Sequence, residues 1–416
     1  MKKCFSVFAL LFVYFSSFSQ QADEQEPTFN VKTISFVQNG RNVIPFFKLG
    51  DTFELQFDDL YGDEADYYYT ITQYNYDWSA PSNLSKAEYL TGMDNQRIIT
   101  YLNSFNTLQI YSHYKQVFPN KFNRITKSGN YILTVLNDEN EVVFSRRFIL
   151  YEEEVNVNLL VRRSRDFETI DTKQNIEMSI NYGDKILQNP IQNVKVTLFQ
   201  NGNWKTSITD IKPQYTLGSE LIYRYNKETQ FWGGNECYTI DNKIIRATNN
   251  TVSKVTSGDN IYNTYLYVNS ARKNLPYTYF PDINGNFFIA NANTTNPEIE
   301  ADYSWVYFAV EAPTFFDSNI YVSGMFNNYT ISDEYKIQRT STIANNGIDA
   351  DHMMPVGSHG KVSIFGTLNF VDETTSLSLF TLGDKIFFDV WFHVSDSTPG
   401  IKIESLQFNV ECTAAN

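Results

Sequence analysis

Short runs of alternating apolar and polar residues recur along almost the whole chain, and they limit its possible folds more than any other feature. In residues 29–151 these runs include 52–60, 129–137 and 141–151, and the turn-forming sequence NDEN separates the last two. Alternation with period two predicts strands that bury one face, and a polar turn between two such runs predicts a hairpin. The 28 Tyr and 33 Phe residues also favour strands. The chain is therefore predicted to be all-β.

The length of 416 residues indicates more than one domain. Strand-like runs continue after the first 151 residues, with turn-forming segments between them. We expect tandem immunoglobulin-like β-sandwich domains: an N-terminal sandwich at 29–151, a second β domain at 155–292 and a third sandwich at 302–416. The Asn- and Thr-rich sequence at 291–302 is interpreted as the linker between the last two.

Residues 1–19, MKKCFSVFALLFVYFSSFS, have the pattern of a secretory signal peptide. Lys2 and Lys3 precede a short apolar run, which is followed by small Ser residues at the spacing that a signal peptidase accepts. We expect this segment to be removed, so that the mature chain begins near Gln20 and leaves the cytoplasm.

The charge and hydropathy of the remaining chain exclude two classes of partner. Loss of the two N-terminal lysines leaves 31 Lys and Arg against 47 Asp and Glu, a formal charge of −16. A strongly acidic chain is a poor partner for nucleic acid or for an anionic lipid surface. No later stretch approaches the ~20 apolar residues of a membrane helix, so direct membrane insertion is not expected.

No motif in the sequence predicts catalysis, a metal or a cofactor. His113, His352, His359 and His393 have neither the spacing nor the Cys neighbours of a zinc site. The sequence DINGN at 282–286 begins like a calcium loop, but its Gly comes two positions too early, which favours a simple turn. We therefore expect a protein that is not an enzyme and that needs no metal or cofactor.

The mature chain keeps two cysteines, Cys237 and Cys412. Outside the cytoplasm they have the opportunity to form one disulfide. Because they lie in different parts of the sequence, two free thiols are the favoured interpretation, and the sequence leaves the pairing open.

One stretch, NLSKAEYLTGMDNQRI at 83–98, interrupts the strand pattern with a dense polar cluster. Ser85 followed three residues later by Glu88 predicts a capped turn of helix, and Gly92 is placed to end it. Polar segments of this kind usually form surface loops, and loops on a rigid β scaffold often carry its contacts.

The same stretch supplies three candidate contact residues. Tyr89 is a candidate amphipathic anchor, Asp94 is a candidate polar contact, and Arg97 is able to donate two hydrogen bonds to a carboxylate or to a row of carbonyls. The alternative is internal bracing, with Asp94 capping a turn and Arg97 paired within its own domain. The sequence alone does not separate these interpretations.

Most of the aromatic residues are expected to fill sandwich cores and cross-strand pairs. The exceptions are Trp232, inside the Gly-rich sequence FWGGNE, and Tyr76 and Trp78 beside the polar stretch, which stand where aromatic residues form binding anchors. This residue set fits a binding protein better than an enzyme.

Six blocks of sequence closely resemble the plug protein family of the type IX secretion system of Bacteroidetes. They occur in the family's order between about residues 29 and 335. The blocks are NLSKAEYLTGMDNQRIITYLNSFNTLQIYSHY, SGNYILTVLNDENEVVFSRRF, KPQYTLGSELIYRY, FWGGNE, PYTYFPDINGNF and VSGMFNNY. The resemblance thus covers most of the mature chain.

The resemblance implies a periplasmic protein that docks on the periplasmic opening of the outer-membrane translocon barrel and closes it. A barrel wide enough for folded cargo leaks solutes when it is open at both ends, so a rigid soluble stopper suits this function. After about residue 335 the sequence departs from the family, which leaves open what the end of the chain contributes.

Two other functions are weaker alternatives. Sequences like VSGMFNNY also occur in starch-binding modules, which suggests a secreted glycan-binding protein with a starch-binding-like β-sandwich module; this requires a flat platform of exposed aromatic rings. A glycosidase requires two carboxylates at a defined separation, and 47 acidic residues give that pattern no weight.

Overall fold

The structure is a computed structural model that is rich in strands. Strands account for 42% of the chain and helices for 7%, which confirms the all-β prediction. Residues 1–19, the DINGN segment, Cys237, Cys412, His352 and His359 lie outside the described residues. The described residues are 24–233, 238–270, 287–311, 319–323, 325–331, 333, 336–337, 362–365, 374–382, 385–395 and 406–409.

Residues 24–152, here called the first sandwich, form two five-stranded sheets and a small additional strand pair. One sheet has the order β2-β1-β4-β9-β8, the other has the order β3-β12-β11-β5-β7, and β6 pairs with β10. The elements are β1 Val31–Gln38, β2 Arg41–Asn42, β3 Phe46–Lys48, β4 Phe53–Asp59, β5 Tyr68–Tyr74, α1 Lys86–Tyr89, β6 Leu90–Gly92, β7 Gln96–Arg97, β8 Thr100–Asn103, β9 Ser112–Phe118, β10 Asn123–Ile125, β11 Gly129–Leu136 and β12 Val142–Tyr151.

Aromatic rings fill the space between these two sheets. Phe57 of one sheet stacks on Tyr114 with ring centroids 5.1 Å apart, and its edge meets Phe144 of the other sheet at 5.3 Å. Phe47 and Phe53 stack across the sheets at 3.9 Å. All five rings are almost completely buried. The high aromatic content of this region is therefore mainly core, because rings supply large apolar area with defined packing geometry.

Residues 155–233, here called the middle unit, contain one sheet with the order β13-β14-β16-β15, and β17 lies beside β14. Ile176 and Leu221 of the sheet pack against Val196 and Leu198, which belong to a segment with a single β-bridge. This segment therefore covers the sheet without forming a full strand of its own. The elements are β13 Asn156–Arg163, β14 Lys173–Asn181, α2 Pro190–Asn193, the 3-10 helix Trp204–Thr206, β15 Tyr215–Leu217, β16 Glu220–Tyr223 and β17 Gln230–Trp232.

The remaining strands, here called the C-terminal unit, form two sheets. Their orders are β19-β20-β22-β26-β25 and β18-β27-β23-β24, and β21 and β28 lie beside β27. The elements are β18 Tyr238–Ile240, β19 Val252–Ser257, β20 Tyr262–Ser270, β21 Phe287–Phe288, α3 Pro297–Glu300, β22 Tyr303–Glu311, β23 Asn319–Ser323, the 3-10 helix Met325–Asn327, β24 Lys336–Ile337, β25 Val362–Phe365, β26 Thr374–Leu382, β27 Lys385–Ser395 and β28 Leu406–Asn409.

This pairing differs from the expected domain boundary at residue 292. Strand β20 pairs with β22, and β18 pairs with β27, so strands from both sides of the boundary build the same sheets. The expected division at 292 was drawn at an Asn- and Thr-rich segment, whereas hydrogen bonds between distant strands decide which residues fold together. The sheets instead divide the chain near residues 233–238.

A buried polar network joins the C-terminal unit to the first sandwich. Asp58, on the outer face of the first sandwich, lies 2.6 Å from Nδ1 of His113 and accepts a 2.6 Å hydrogen bond from the hydroxyl of Tyr303. That hydroxyl also lies 3.1 Å from Oγ1 of Thr33. Burial, together with the nearby Asp58 carboxylate, raises the pKa of Tyr303 well above its ordinary value. Tyr303 is therefore a neutral donor that helps to satisfy a buried carboxylate.

An aromatic cluster joins the middle unit to the first sandwich. The guanidinium of Arg147 lies 4.8 Å from the ring centroid of Trp78 and 5.5 Å from that of Trp204. Phe46 stacks on Phe199 at 5.1 Å beside it. Trp78 is only 3% exposed, so the expectation that it is a surface anchor is wrong: its ring is used inside the molecule. Cation–π contacts of this kind are strongest when water is excluded.

We predict that Tyr303→Phe destabilises the contact between the first sandwich and the C-terminal unit. Loss of the hydroxyl leaves the buried Asp58 carboxylate short of one donor, which costs about 1–3 kcal/mol. Denaturant unfolding measures the change. The matched control is Tyr307→Phe, which removes a half-buried hydroxyl that donates to Asn263 at 3.1 Å. Equal destabilisation by the two variants contradicts the special role of Tyr303.

Candidate docking surface

The polar stretch at 83–98 folds locally as the sequence predicts at its start. The backbone N–H and the hydroxyl of Ser85 donate to the Glu88 carboxylate, at 2.8 and 2.9 Å, at the start of helix α1. The helix ends before Gly92, which instead lies in β6 with φ +100°, and a Cβ there would meet the carbonyl oxygen of Phe122 at 2.0 Å. Gly92 is therefore needed for close backbone approach to β10 rather than to end the helix.

Tyr89 does not occupy the position that the sequence analysis gave it. Its side chain is 3% exposed, and its ring lies 5.9 Å from that of Tyr131 in the core of the first sandwich. Burial raises the pKa of the Tyr89 hydroxyl. The expectation of an exposed anchor at this position is wrong, because the helix turns this residue inward, where its apolar area is removed from water.

Asp94 and Arg97 make contacts within the first sandwich. A carboxylate oxygen of Asp94 accepts a 3.2 Å hydrogen bond from the backbone N–H of Ile71, and the other oxygen pairs with Lys86. Arg97 lies on β7 and forms an ion pair with Asp66, while its side chain stays 49% exposed. These contacts agree with the alternative interpretation, in which Asp94 and Arg97 brace their own domain. Contact of either residue with a partner stays a prediction.

Trp232 lies on β17 of the middle unit, in a different unit from the other three candidates. Its ring is partly buried, and Nζ of Lys173 lies 4.6 Å from the ring centroid. Its carbonyl oxygen accepts a 3.0 Å hydrogen bond from Nε2 of Gln200. Much of this residue is thus already in contact with its own chain, and a partner contact at Trp232 stays a prediction.

A different set of residues forms an exposed apolar surface where the first sandwich meets the C-terminal unit. The set consists of exposed apolar residues of β8 and of the loop that follows it, together with Tyr61. It is here called the seam surface. Its members, with their exposed fractions, are Tyr61 (60%), Leu102 (52%), Phe105 (66%), Leu108 (37%) and Ile110 (58%). Clustered exposed apolar side chains of this size mark interaction sites more often than isolated ones do.

The backbone of the seam surface is held by both units. The N–H of Phe105 donates to the carbonyl oxygen of Ile299 at 2.8 Å, and the N–H of Leu108 donates to the Asp302 carboxylate at 2.6 Å. Burial raises the pKa of Asp302, although the bond from Leu108 opposes this shift. These bonds hold the loop while its apolar side chains stay outside. A fixed loop loses little conformational entropy when a partner binds.

Carboxylates border the seam surface. Glu64 accepts hydrogen bonds from the Tyr101 hydroxyl at 2.7 Å and from Nδ2 of Asn103 at 2.6 Å, and these bonds lower the pKa of its carboxyl group. Glu64 is therefore ionised at neutral pH. A partner for this surface needs an apolar centre and a rim that is neutral or basic.

The seam surface was missed from the sequence because its residues belong to ordinary strand and loop patterns. Apolar residues such as Leu102 and Ile110 are typical of strands, and their exposure is decided by which faces the other sheets cover. The local signal was the apolar content of TLQI at 107–110, which has the composition of a strand but lies in a loop. Strand β9 in fact begins at Ser112.

Neither a metal centre nor a membrane-spanning helix occurs in the part of the chain that the structure describes. Within those residues no group of three or more His, Cys, Asp and Glu side chains is arranged to hold a metal ion. The helices described there are too short and too polar to cross a bilayer.

Comparison with known proteins identifies the first sandwich. Residues 31–152 match the family model of the type 9 secretion system plug protein 1st domain, which confirms the resemblance over this segment. No curated protein matches the chain. Three chains of solved structures match it. One is the crystal structure of a hypothetical protein from Parabacteroides merdae, which has a TM-score of 0.76 and 23% identity over 89% of this chain and 87% of that one. At this identity the match shows the fold alone.

We predict that Tyr89→Ala and Arg97→Ala have different effects on stability. Truncation of the buried Tyr89 ring should cost about 3–5 kcal/mol, because it removes core area and leaves a cavity. Arg97→Ala should cost less than about 1 kcal/mol, because its ion pair with Asp66 is exposed to solvent. Denaturant unfolding of both variants tests this. Early unfolding of Arg97→Ala with an unaffected Tyr89→Ala contradicts the assignment.

Proposed function

We propose that this protein is a periplasmic plug that binds the periplasmic opening of the type IX secretion translocon barrel and seals it. The observation that carries the proposal is the match of residues 31–152 to the plug protein's first domain. A stopper has to resist deformation by whatever enters the barrel, so the function also requires rigidity, and the contacts that join the three β units support it.

Two internal contacts supply that rigidity. The Asp58–Tyr303 hydrogen bond holds the C-terminal unit on the first sandwich, and the cation–π contacts of Arg147 with Trp78 and Trp204 hold the middle unit. All of these groups except Trp204 are buried or nearly so. Relative motion of the units would expose them to water and break their hydrogen bonds or ring contacts, which is costly for buried polar groups.

The proposed docking site is the seam surface. It presents apolar side chains on a backbone fixed from two units, and carboxylates border it. Interfaces that form and dissociate combine an apolar centre with a polar rim in this way. The seam surface therefore binds the rim of the barrel opening through its apolar centre, and the acidic border selects a neutral or basic partner.

We predict that Leu102→Lys combined with Phe105→Lys releases the protein from the translocon. The two lysines place charge in the apolar centre, while the exposed positions leave the fold intact. Two measurements test this: co-purification with the tagged barrel, and entry into the periplasm of a dye that does not cross the intact outer membrane. The matched control is Phe167→Lys, since Phe167 is 93% exposed in the middle unit, away from the seam surface.

Two outcomes of that experiment contradict the docking site. Full retention of the double variant on the barrel excludes the seam surface, and equal release by Phe167→Lys points to a general loss of solubility or fold. Retention of the unsubstituted protein on insoluble glucan but not on the barrel supports the glycan-binding alternative instead of the plug.

The proposed location follows from residues 1–19 together with the matched domain. We expect the mature chain to begin near Gln20, and to fractionate with periplasmic material or with the outer membrane when the translocon is present. N-terminal sequencing and fractionation of cells with and without the translocon measure this. Membrane association that persists without the translocon contradicts the proposed partner.

A further inference from the structure

Strand β13 forms an open edge of the middle sheet. Among the described strands it pairs with β14 alone, so one side of its backbone has no neighbouring strand there. All eight of its residues are exposed, and Val157, Leu159, Leu160 and Val161 are each about half exposed, at 50, 55, 47 and 50%. Soluble proteins usually protect a long apolar edge with charge, proline or a covering segment. An edge left open in this way is a site for another strand.

One face of β13 continues the core face of the middle sheet. Leu159 lies opposite Met178 and Val161 lies opposite Ile176, and opposite residues of an antiparallel pair share a face. Met178 and Ile176 are buried in the core of the middle unit. Val157 shares this face with Leu159 and Val161, because side chains alternate along a strand. The core face of the sheet therefore runs onto a strand that stays exposed in the part of the chain that the structure describes.

The sequence of this strand is complementary to its own reverse. Centred on Asn158, an antiparallel copy places Val155 opposite Val161 and Val157 opposite Leu159. Within β13 this face carries Val157, Leu159, Val161 and Arg163, whereas Glu153 and Val155 precede the strand and residue 155 lies at a bend. If these preceding residues extend the strand in the paired state, the register pairs each apolar residue of the series with an apolar residue.

The charged residues that flank the apolar series obey the same rule: Arg162 and Arg163 end the strand, and Glu153 and Glu154 lie just before it. The register centred on Asn158 places Glu153 opposite Arg163 on one face and Glu154 opposite Arg162 on the other. Cross-strand pairs of opposite charge and of branched apolar residues stabilise antiparallel sheets. A register shifted by two residues leaves one charge match in place of two, either Glu153 with Arg165 or Glu152 with Arg162.

The ion pairs within one chain leave this complementarity in place. At the acidic end, Glu153 pairs with Lys48 and Glu154 pairs with Lys185, and Glu152 adds a third carboxylate. These pairs are exposed to solvent, so exchanging them for pairs across an interface costs little.

The basic end has the opposite imbalance. Arg163 pairs with Asp171, whereas Arg162 and Arg165 share the single carboxylate of Glu177. The two ends of β13 thus keep opposite net charge after these ion pairs are counted.

We propose that two copies of this chain associate by antiparallel pairing of β13 with β13, about a two-fold axis through Asn158. The two middle sheets then form one continuous sheet, with a shared apolar face at its centre. The contact is short, so it belongs with small, reversible interfaces and should depend on protein concentration. This inference uses a surface separate from the seam surface and does not depend on the proposed plug function.

Sedimentation velocity over a concentration series tests the proposal with the purified mature chain. The unsubstituted protein should form dimers as concentration rises, and Leu159→Lys should stay monomeric because it places two lysines beside the axis. The matched control is Leu217→Lys, which changes a 67% exposed leucine on β15 at the opposite edge of the same sheet. A monomer at every concentration, or equal behaviour of Leu159→Lys and Leu217→Lys, overturns the proposal.

Charge reversal tests the direction of the pairing. Glu153→Arg or Arg163→Glu alone puts like charges opposite each other and should reduce the dimer fraction. The double variant restores opposite charges in an antiparallel pair and should recover dimerisation. Because both side chains are exposed, thermal melting should be similar in all three variants. Failure of the double variant to recover the dimer, with its melting unchanged, overturns the antiparallel register.

Cysteine cross-linking tests the axis itself. Asn158→Cys places two thiols opposite each other at the axis, within the Cα separation that a disulfide spans. Leu160→Cys, on the same face, places its thiols four residues apart along the paired strands. Under mild oxidation the first variant should form a covalent dimer and the second should behave as the unsubstituted chain does. Equal cross-linking of the two variants rules out the two-fold axis at Asn158.

Discussion

A carboxylate without exposed surface, Asp58, is the constraint on which the arrangement of the units depends. It lies on the outer face of a sheet rather than in the core, so within the first sandwich that face would hold a charged group near water. The C-terminal unit covers this face and supplies the hydroxyl of Tyr303, while His113 of the neighbouring strand supplies the second contact. A buried carboxylate is costly unless it is hydrogen-bonded, so it favours one way of docking the two units over others.

That docking creates the seam surface as a consequence. Once Tyr303 is placed on Asp58, the adjacent segment of the C-terminal unit reaches the loop after β8. There the carbonyl oxygen of Ile299 accepts from the N–H of Phe105, and the Asp302 carboxylate accepts from the N–H of Leu108. The polar backbone of the loop is satisfied inside the seam, and its apolar side chains remain outside. The same junction that joins the two units thus also presents the proposed docking surface.

The core face of the middle sheet is covered less completely than the sheets of the first sandwich. Its sheet has a core on one face, closed by a segment with one β-bridge, and this segment does not extend over β13. Leu159 and its neighbours are therefore exposed although their register is that of core residues. An incomplete second layer explains why one chain carries both a densely packed first sandwich and an open strand edge.

The sequence by itself determined the all-β class, the longer alternating strands of the first sandwich such as β4, β11 and β12, and the capped turn at Ser85, because these depend on alternation and on residues three positions apart. It did not determine that Tyr89 points inward, that Arg97 pairs with Asp66, or that strands on both sides of residue 292 share sheets. Those outcomes depend on contacts between residues far apart in sequence, and a period-two pattern states that a strand has a buried face without stating which sheet covers it. Only the tertiary structure decided that Leu102 and Leu159 remain exposed.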